Sequence, residues 1–277
     1  MKTSFITGLC FALSLQAFAQ NPDRALARVK YSFVHIKDTT QKNNPYTENM
    51  LLVIGKNASV YTSLDRLNRK LVDDGKAKAE PAAPNAPFKP VSQQDYYFFV
   101  KENLFFIKEK IYNEYLAEEK APKINWKTTK DTASFSGIAC KKATAYFKGR
   151  NWIAWYAPEL PFQSGPWKLN GLPGLIVEAY DDKQQVQFHF AGMDKVSAAN
   201  TNSDSYFYES DIKLPKDAKR TDMKEYTRIK EFSVKDPVGF ASAMTGIDRK
   251  EIRIGKSMTG IAGPTVTNNP IELPEKK

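Results

Sequence analysis

The run "RVKYSFVHIK", Arg28 to Lys37, sets Val29, Tyr31 and Phe33 alternately with Lys30 and Ser32. A period of two sends every second side chain to the same side of an extended backbone, so this run is read as a strand with one buried face. "MLLVIG" reads as a second strand and "ASVYTS", after a turn at Gly55-Lys56-Asn57, as a third, which together predict an antiparallel meander. The device recurs in "YYFFVKE", "NLFFIKEK", "IYNEYLAEE", "KINWKTT", "FSGIACKKATAYFKG" and "NWIAWYAP", each rich in aromatic or β-branched residues and separated by Asn, Gly, Lys or Asp. The expected fold is therefore mainly β, a β-rich α+β protein built on one large curved antiparallel sheet. Helical patterns are too few for a doubly wound parallel sheet.

Three segments break the alternation. "LDRLNRKLV" spaces Leu64, Leu67, Leu71 and Val72 as one face of a short helix, and "TDMKEYTRIKEF" does the same with Met223, Tyr226, Ile229 and Phe232. "DPVGFASAMTG" carries Asp236 as a helix cap, Pro237 at the first helical position and Gly246 just past the end. "KAKAEPAAPNAPFKPV" has little to bury, so residues 79–91 are expected to form an exposed extended loop inserted within one sheet. From about residue 262 the periodicity stops, and a loose C-terminal tail is expected.

The first twenty residues, "MKTSFITGLCFALSLQAFAQ", join one lysine, an apolar run and Ala17-Phe18-Ala19 in the manner of a signal peptide cleaved after Ala19. The run is well short of the roughly 20 residues that span a bilayer, and no later stretch is apolar enough to do so. The expectation is an exported protein, periplasmic, outer-envelope associated or extracellular, with a signal peptide at 1–19 and a single domain at 20–277. Cys140 is then the one cysteine left, so no internal disulfide is expected. A net charge of +10 on an exported protein suits an anionic envelope surface better than nucleic acid, with simple solubility as the alternative because the lysines are dispersed rather than stacked in one block.

The most distinctive stretch is "GLPGLI", comprising Gly171, Leu172, Pro173, Gly174, Leu175 and Ile176. Pro173 and Gly174 suit the two central positions of a type II turn, and "LIVEAYD" followed by "QVQFHF" then predicts a hairpin burying Val186, Phe188 and Phe190. The run from Trp155 to Asp181, with "CKKATAYFKGR" upstream, closely resembles the GLPGLI family of secreted bacterial envelope proteins. That resemblance implies export and an envelope location, and it brings no established activity. The alternation is also similar to the curved half-barrels of periplasmic lipoprotein carriers, a likeness of fold that licenses no function.

All four tryptophans, Trp126, Trp152, Trp155 and Trp167, fall in one region with Tyr146, Phe147 and Tyr156 between them. Such a cluster lines an apolar cleft or builds a core. Trp152, Trp155, Tyr156, Gly165, Pro166 and Trp167 are the candidate residues for binding an apolar ligand or an outer-membrane protein partner on a concave aromatic face. Cys140 beside Lys141 and Lys142 is read as a buried thiol, with a nucleophile as its alternative. His35 and His189 lack the spacing of a zinc site, and "IGKS" at Ile254–Ser257 lacks the first glycine of a phosphate loop, so neither metal nor cofactor is expected. The expected role is non-enzymatic binding. A hydrolase or transferase with a site hidden from the sequence and a structural accessory of an outer-membrane transporter are the alternatives.

Overall fold

The computed structural model describes residues 23–78, 89–196, 211–252 and 267–275. The expected signal peptide, residues 79–88 of the Pro/Ala-rich loop and the "IGKS" segment lie outside them. The first strands are β1 (Asp23–Arg24), β2 (Ala27–His35), β3 (Tyr46–Ile54) and β4 (Ala58–Ser63), followed by helix α1 (Leu64–Asp73). Then come β5 (Gln94–Phe99), β6 (Leu104–Lys110), β7 (Glu114–Lys120), β8 (Lys127–Phe135), β9 (Ile138–Phe147), β10 (Arg150–Ala157), β11 (Leu175–Asp181) and β12 (Val186–Lys195). Short strands β13 (Asp211–Ile212) and β14 (Lys219–Asp222) precede helices α2 (Met223–Lys235) and α3 (Pro237–Thr245).

Among the described residues twelve strands make one sheet in the order β14-β7-β6-β5-β4-β3-β2-β12-β11-β10-β9-β8. It is two antiparallel meanders, β2 to β7 and β8 to β12, fused where β12 runs beside β2 over almost their whole lengths. The sheet is not closed into a barrel: β14 and β8 stand at opposite edges. Its one parallel pairing among the described residues, β14 with β7, was not foreseen, because "KRTD" has no apolar alternation to announce a strand.

Both sheet faces are covered in part. On one, Val29, Tyr31, Phe33, Leu52 and Tyr61 pack with Trp152, Ala154, Tyr156, Ala179 and Phe188, under a lid made by Trp167, Leu169 and Leu172. Farther along, Tyr226, Ile229 and Phe240 of the C-terminal helices cover Phe105, Ile107, Tyr115 and Ala117. On the opposite face Leu67 of α1, Ala25, Ile212 and Ala218 cover Leu51, Val53, Val60, Tyr97, Phe99, Phe106 and Leu116.

Helix ends follow local chemistry. Ser63 Oγ accepts from the Arg66 amide, Asp222 from that of Glu225 and Asp236 from that of Gly239, each satisfying an amide the helix leaves unpaired. Gly246 ends α3 in the left-handed conformation at φ 74°.

Two expectations need correction. At "GLPGLI" no type II turn forms: the Gly174 amide donates to Leu172 O at 2.8 Å, a tighter bond spanning one residue, while the Leu175 amide turns away to Leu160 O. Gly174 is required for a reason the turn type does not capture. At φ 152° it lies flat against strand β10, and a Cβ there would overlap the Ala157 carbonyl. The tail is not loose over residues 267–275. Arg150 donates to Asn269 Oδ1, Pro270 O and Ile271 O at 2.7, 2.6 and 2.8 Å, and Leu273 N donates to Lys148 O. Three of these bonds come from the single side chain of Arg150, so they leave no periodicity in the sequence.

Candidate functional site: a cleft beside helix α1

The structure brings the expected aromatic residues together and then seals them. Trp152 is 1% exposed, with its ring centroid 5.7 Å from Trp167 and 6.1 Å from Phe188, and its Nε1 donates to Phe147 O. Tyr156, Gly165, Pro166 and Trp167 are buried too. A Cβ on Gly165 would meet the Leu169 carbonyl and the Ile176 side chain, so the chain here lies in close contact with its neighbours. Trp167 holds φ 54°, a costly conformation for a bulky residue, fixed by packing against Trp152 and Phe147. The space left beside Tyr61, Trp167 and Asn170 is about 10 Å³, enough for at most one water. The concave aromatic face is thus a filled core, because residues 158–174 fold across it. Of the six candidates only Trp155 keeps partial exposure, on the other face, beside Phe135 with ring centroids 5.6 Å apart. Within the motif, Gly171 and Pro173 are exposed and the other four residues are buried.

An open volume lies elsewhere. A cleft of about 870 Å³ is bounded by α1, by strands β4 to β6 and by residues 211–217. Its apolar lining is Val53, Val60, Leu67, Tyr97, Ile212 and Leu214. Six basic side chains, Arg66, Lys70, Lys108, Lys110, Lys213 and Lys216, stand around it with four acidic ones, Asp95, Glu114, Asp211 and Asp217.

Strand alternation explains the mixture. Asp95, Tyr97 and Phe99 share one side of β5, so Asp95 occupies a position that the pattern reserves for an apolar residue. It is 2% exposed and accepts a 2.5 Å bond from Thr62 Oγ1. Arg66 Nη2 pairs with it directly, and Lys108, opposite it on β6, approaches to 3.5 Å. Lys108 also reaches Glu114 at 3.3 Å. Arg66 and Lys108 are thus balanced by Asp95 and Glu114, and the excess of basic groups lies in the rest of the lining.

None of these residues stood out in the sequence reading. The available signal was Asp95 itself, an acid at a core-parity position just before "YYFFV", since a buried carboxylate requires compensating partners.

Other reactive groups are built into the framework. Cys140 is 2% exposed, and burial, aided by nearby Glu178, pushes its thiol up to about 11, far from the thiolate a nucleophile needs. His189 Nδ1 lies 2.9 Å from Glu178, which also accepts from the Phe190 amide, and this bond raises the histidine's pKa. His35 sits under the tail with Nε2 2.7 Å from Asn269 O, and burial lowers its pKa to about 4. Asp181 accepts from the Gln185 and Val186 amides in its turn and pairs with buried Arg150 at 2.8 Å. Among the described residues no group of three or more His, Cys, Asp or Glu side chains is placed to hold a metal ion, and no helix is long and apolar enough to cross a membrane.

Fold and cleft together define a class: a β-rich protein with an open, largely antiparallel sheet and an amphipathic cleft on one face. Residues 108–178, which include the whole "GLPGLI" motif, match the model of a family described as "Protein of unknown function (Porph_ging)". No curated protein matches the chain. Two solved structures of PNGF-II, in space groups P21 and C2, are similar at 15% and 14% identity, each with a TM-score of 0.50. Each alignment covers 74% of this chain and 32% of the PNGF-II chain, so this protein spans about a third of their length. At that identity the likeness is one of fold.

Proposed function

We propose that this is an exported envelope protein that binds, without catalysis, a small ligand with an apolar body in the cleft beside α1. The observation that carries the reading is the cleft: about 870 Å³ floored by Val53, Val60, Leu67 and Tyr97, in the size range of ligand pockets. Export and an envelope location are supported by the N-terminal segment and by the resemblance to GLPGLI proteins. Against the hydrolase or transferase alternative stands the buried, weakly acidic Cys140. The transporter-accessory alternative would rest on Trp155, the one expected site residue left partly exposed. Crosslinking from Trp155 in intact cells tests it.

The main reading is tested by gently purifying the chain from envelope extracts, extracting it with organic solvent and identifying the released molecules by mass spectrometry. A ligand with an apolar body is expected from the native protein and not from Leu214→Trp, which fills the cleft from its partly exposed wall. A ligand retained equally by both would refute the location. An empty native protein that also fails to bind added amphiphiles would refute the function.

A further inference from the structure

The cleft has a polar end whose hydrogen-bonding capacity is only partly used. Arg66 is held in place from one side: its Nη2 donates to Thr62 Oγ1 at 2.9 Å and pairs with Asp95, while the Ser63 cap fixes its amide at the first turn of α1. Among the described residues its Nε and Nη1 have no acceptor, although the side chain is only 22% exposed. Lys108 is engaged by Asp95 and Glu114. Lys110 and Lys216, also on the cleft wall, form no ion pair among the described residues. Asp95 and Glu114 are thus already occupied by Arg66 and Lys108, and Asp211 and Asp217 are the remaining carboxylates of the lining.

From this asymmetry we infer the chemical class of the ligand: a single-chain amphiphile with an anionic head, a carboxylate or a phosphate monoester. Its head is taken by the free donors of Arg66 together with Lys110 and Lys216 of the cleft wall, and its chain lies on Val60, Leu67, Tyr97 and Leu214. The inference rests on the cleft being the binding site. It adds that the head must carry negative charge. A guanidinium already anchored through one nitrogen loses little freedom when it binds an anion, and its free Nε and Nη1 each offer one charge-assisted donor to an anionic oxygen. The apolar floor gives the chain of such a molecule a place out of water, which a free inorganic anion would not use.

Calorimetric titration with three amphiphiles of one chain length, below their micellar concentrations, tests this. Dodecyl phosphate is expected to bind about tenfold or more tighter than dodecyl maltoside, and dodecyltrimethylammonium not to bind, in line with the strength of charge-assisted hydrogen bonds. Inorganic phosphate alone should bind far more weakly than dodecyl phosphate. Arg66→Gln should remove most of the advantage of the anionic head over maltoside. The double variant Lys110→Gln/Lys216→Gln, at positions outside the buried network, reads the same quantity should Arg66→Gln disturb Asp95. Equal affinity for anionic and neutral heads overturns the head assignment and leaves the cleft reading standing. Binding of none of the amphiphiles overturns both.

Discussion

The two meanders of the sheet are built from the same kind of strand and end in opposite states. In β8 to β12 the chain returns across one face of the sheet, Trp152, Trp167 and Phe188 close on one another, and where residues 164–170 meet Tyr61 and Phe105 there is room for at most one water. In β4 to β6, on the other side of the sheet, α1 and residues 211–217 stand apart and leave a cleft of about 870 Å³. Aromatic density therefore marks where this protein is solid. The open site is marked by charge set among apolar residues, with Asp95 buried between Arg66 and Lys108.

If that contrast is right, the second meander should be intolerant of lost volume. Trp152→Ala is expected to destabilise the protein by about 3–5 kcal/mol, because it leaves a large cavity in a region already filled. Urea unfolding followed by circular dichroism measures it, and a loss below about 1 kcal/mol would mean the core is looser than described.

The seam between the two meanders should respond to acid through His35, which stands opposite Val186 where β2 pairs with β12 and is covered by the tail. Its folded pKa, about 4, lies below the unfolded value of 6.5. The stabilisation is thus complete above pH 6.5 and is lost as pH falls toward 4, since the unfolded chain takes up the proton first. The difference corresponds to about 3 kcal/mol. His35→Gln should flatten stability against pH across that window, and an unchanged slope would contradict the buried position.

Added volume separates the two regions more gently. Ala154→Leu, at a fully buried site in β10, should cost about 1–3 kcal/mol through overpacking. Leu214→Phe on the cleft wall should stay within about 0.5 kcal/mol of the parent. Equal costs would erase the distinction.

The smallest effect is expected at His189, which is raised by its bond to Glu178 but well exposed. Its contribution has the opposite sign to that of His35: present below pH 6.5 and lost as pH rises through the raised folded value. His189→Gln should remove a shallow decline in stability as pH rises above 6.5, detectable by thermal melting over a pH series.

Much of this was legible in the sequence. Period-two alternation located the long strands, and Asp236, Pro237 and Gly246 marked α3 at both ends because caps are local chemistry. The aromatic cluster was also legible as a cluster. What covers it was not, since that depends on residues 158–174 folding back and on Gly165 and Gly174 permitting close approach. The tail escaped notice because Asn269, Pro270 and Ile271 are held by Arg150, a residue more than a hundred positions earlier. The cleft escaped for the same reason: Arg66, Asp95, Lys108 and Leu214 meet only once the first meander and the segment after β13 are in place.

Where a ligand sits can be read directly by photocrosslinking with a dodecyl phosphate analogue that carries a diazirine on its chain, followed by peptide mapping. Labelling on α1, β5 and residues 211–217, around Leu67, Tyr97 and Leu214, is the expected result. Labelling instead on Trp152, Tyr156 or Trp167 would contradict the account and return the site to the aromatic face.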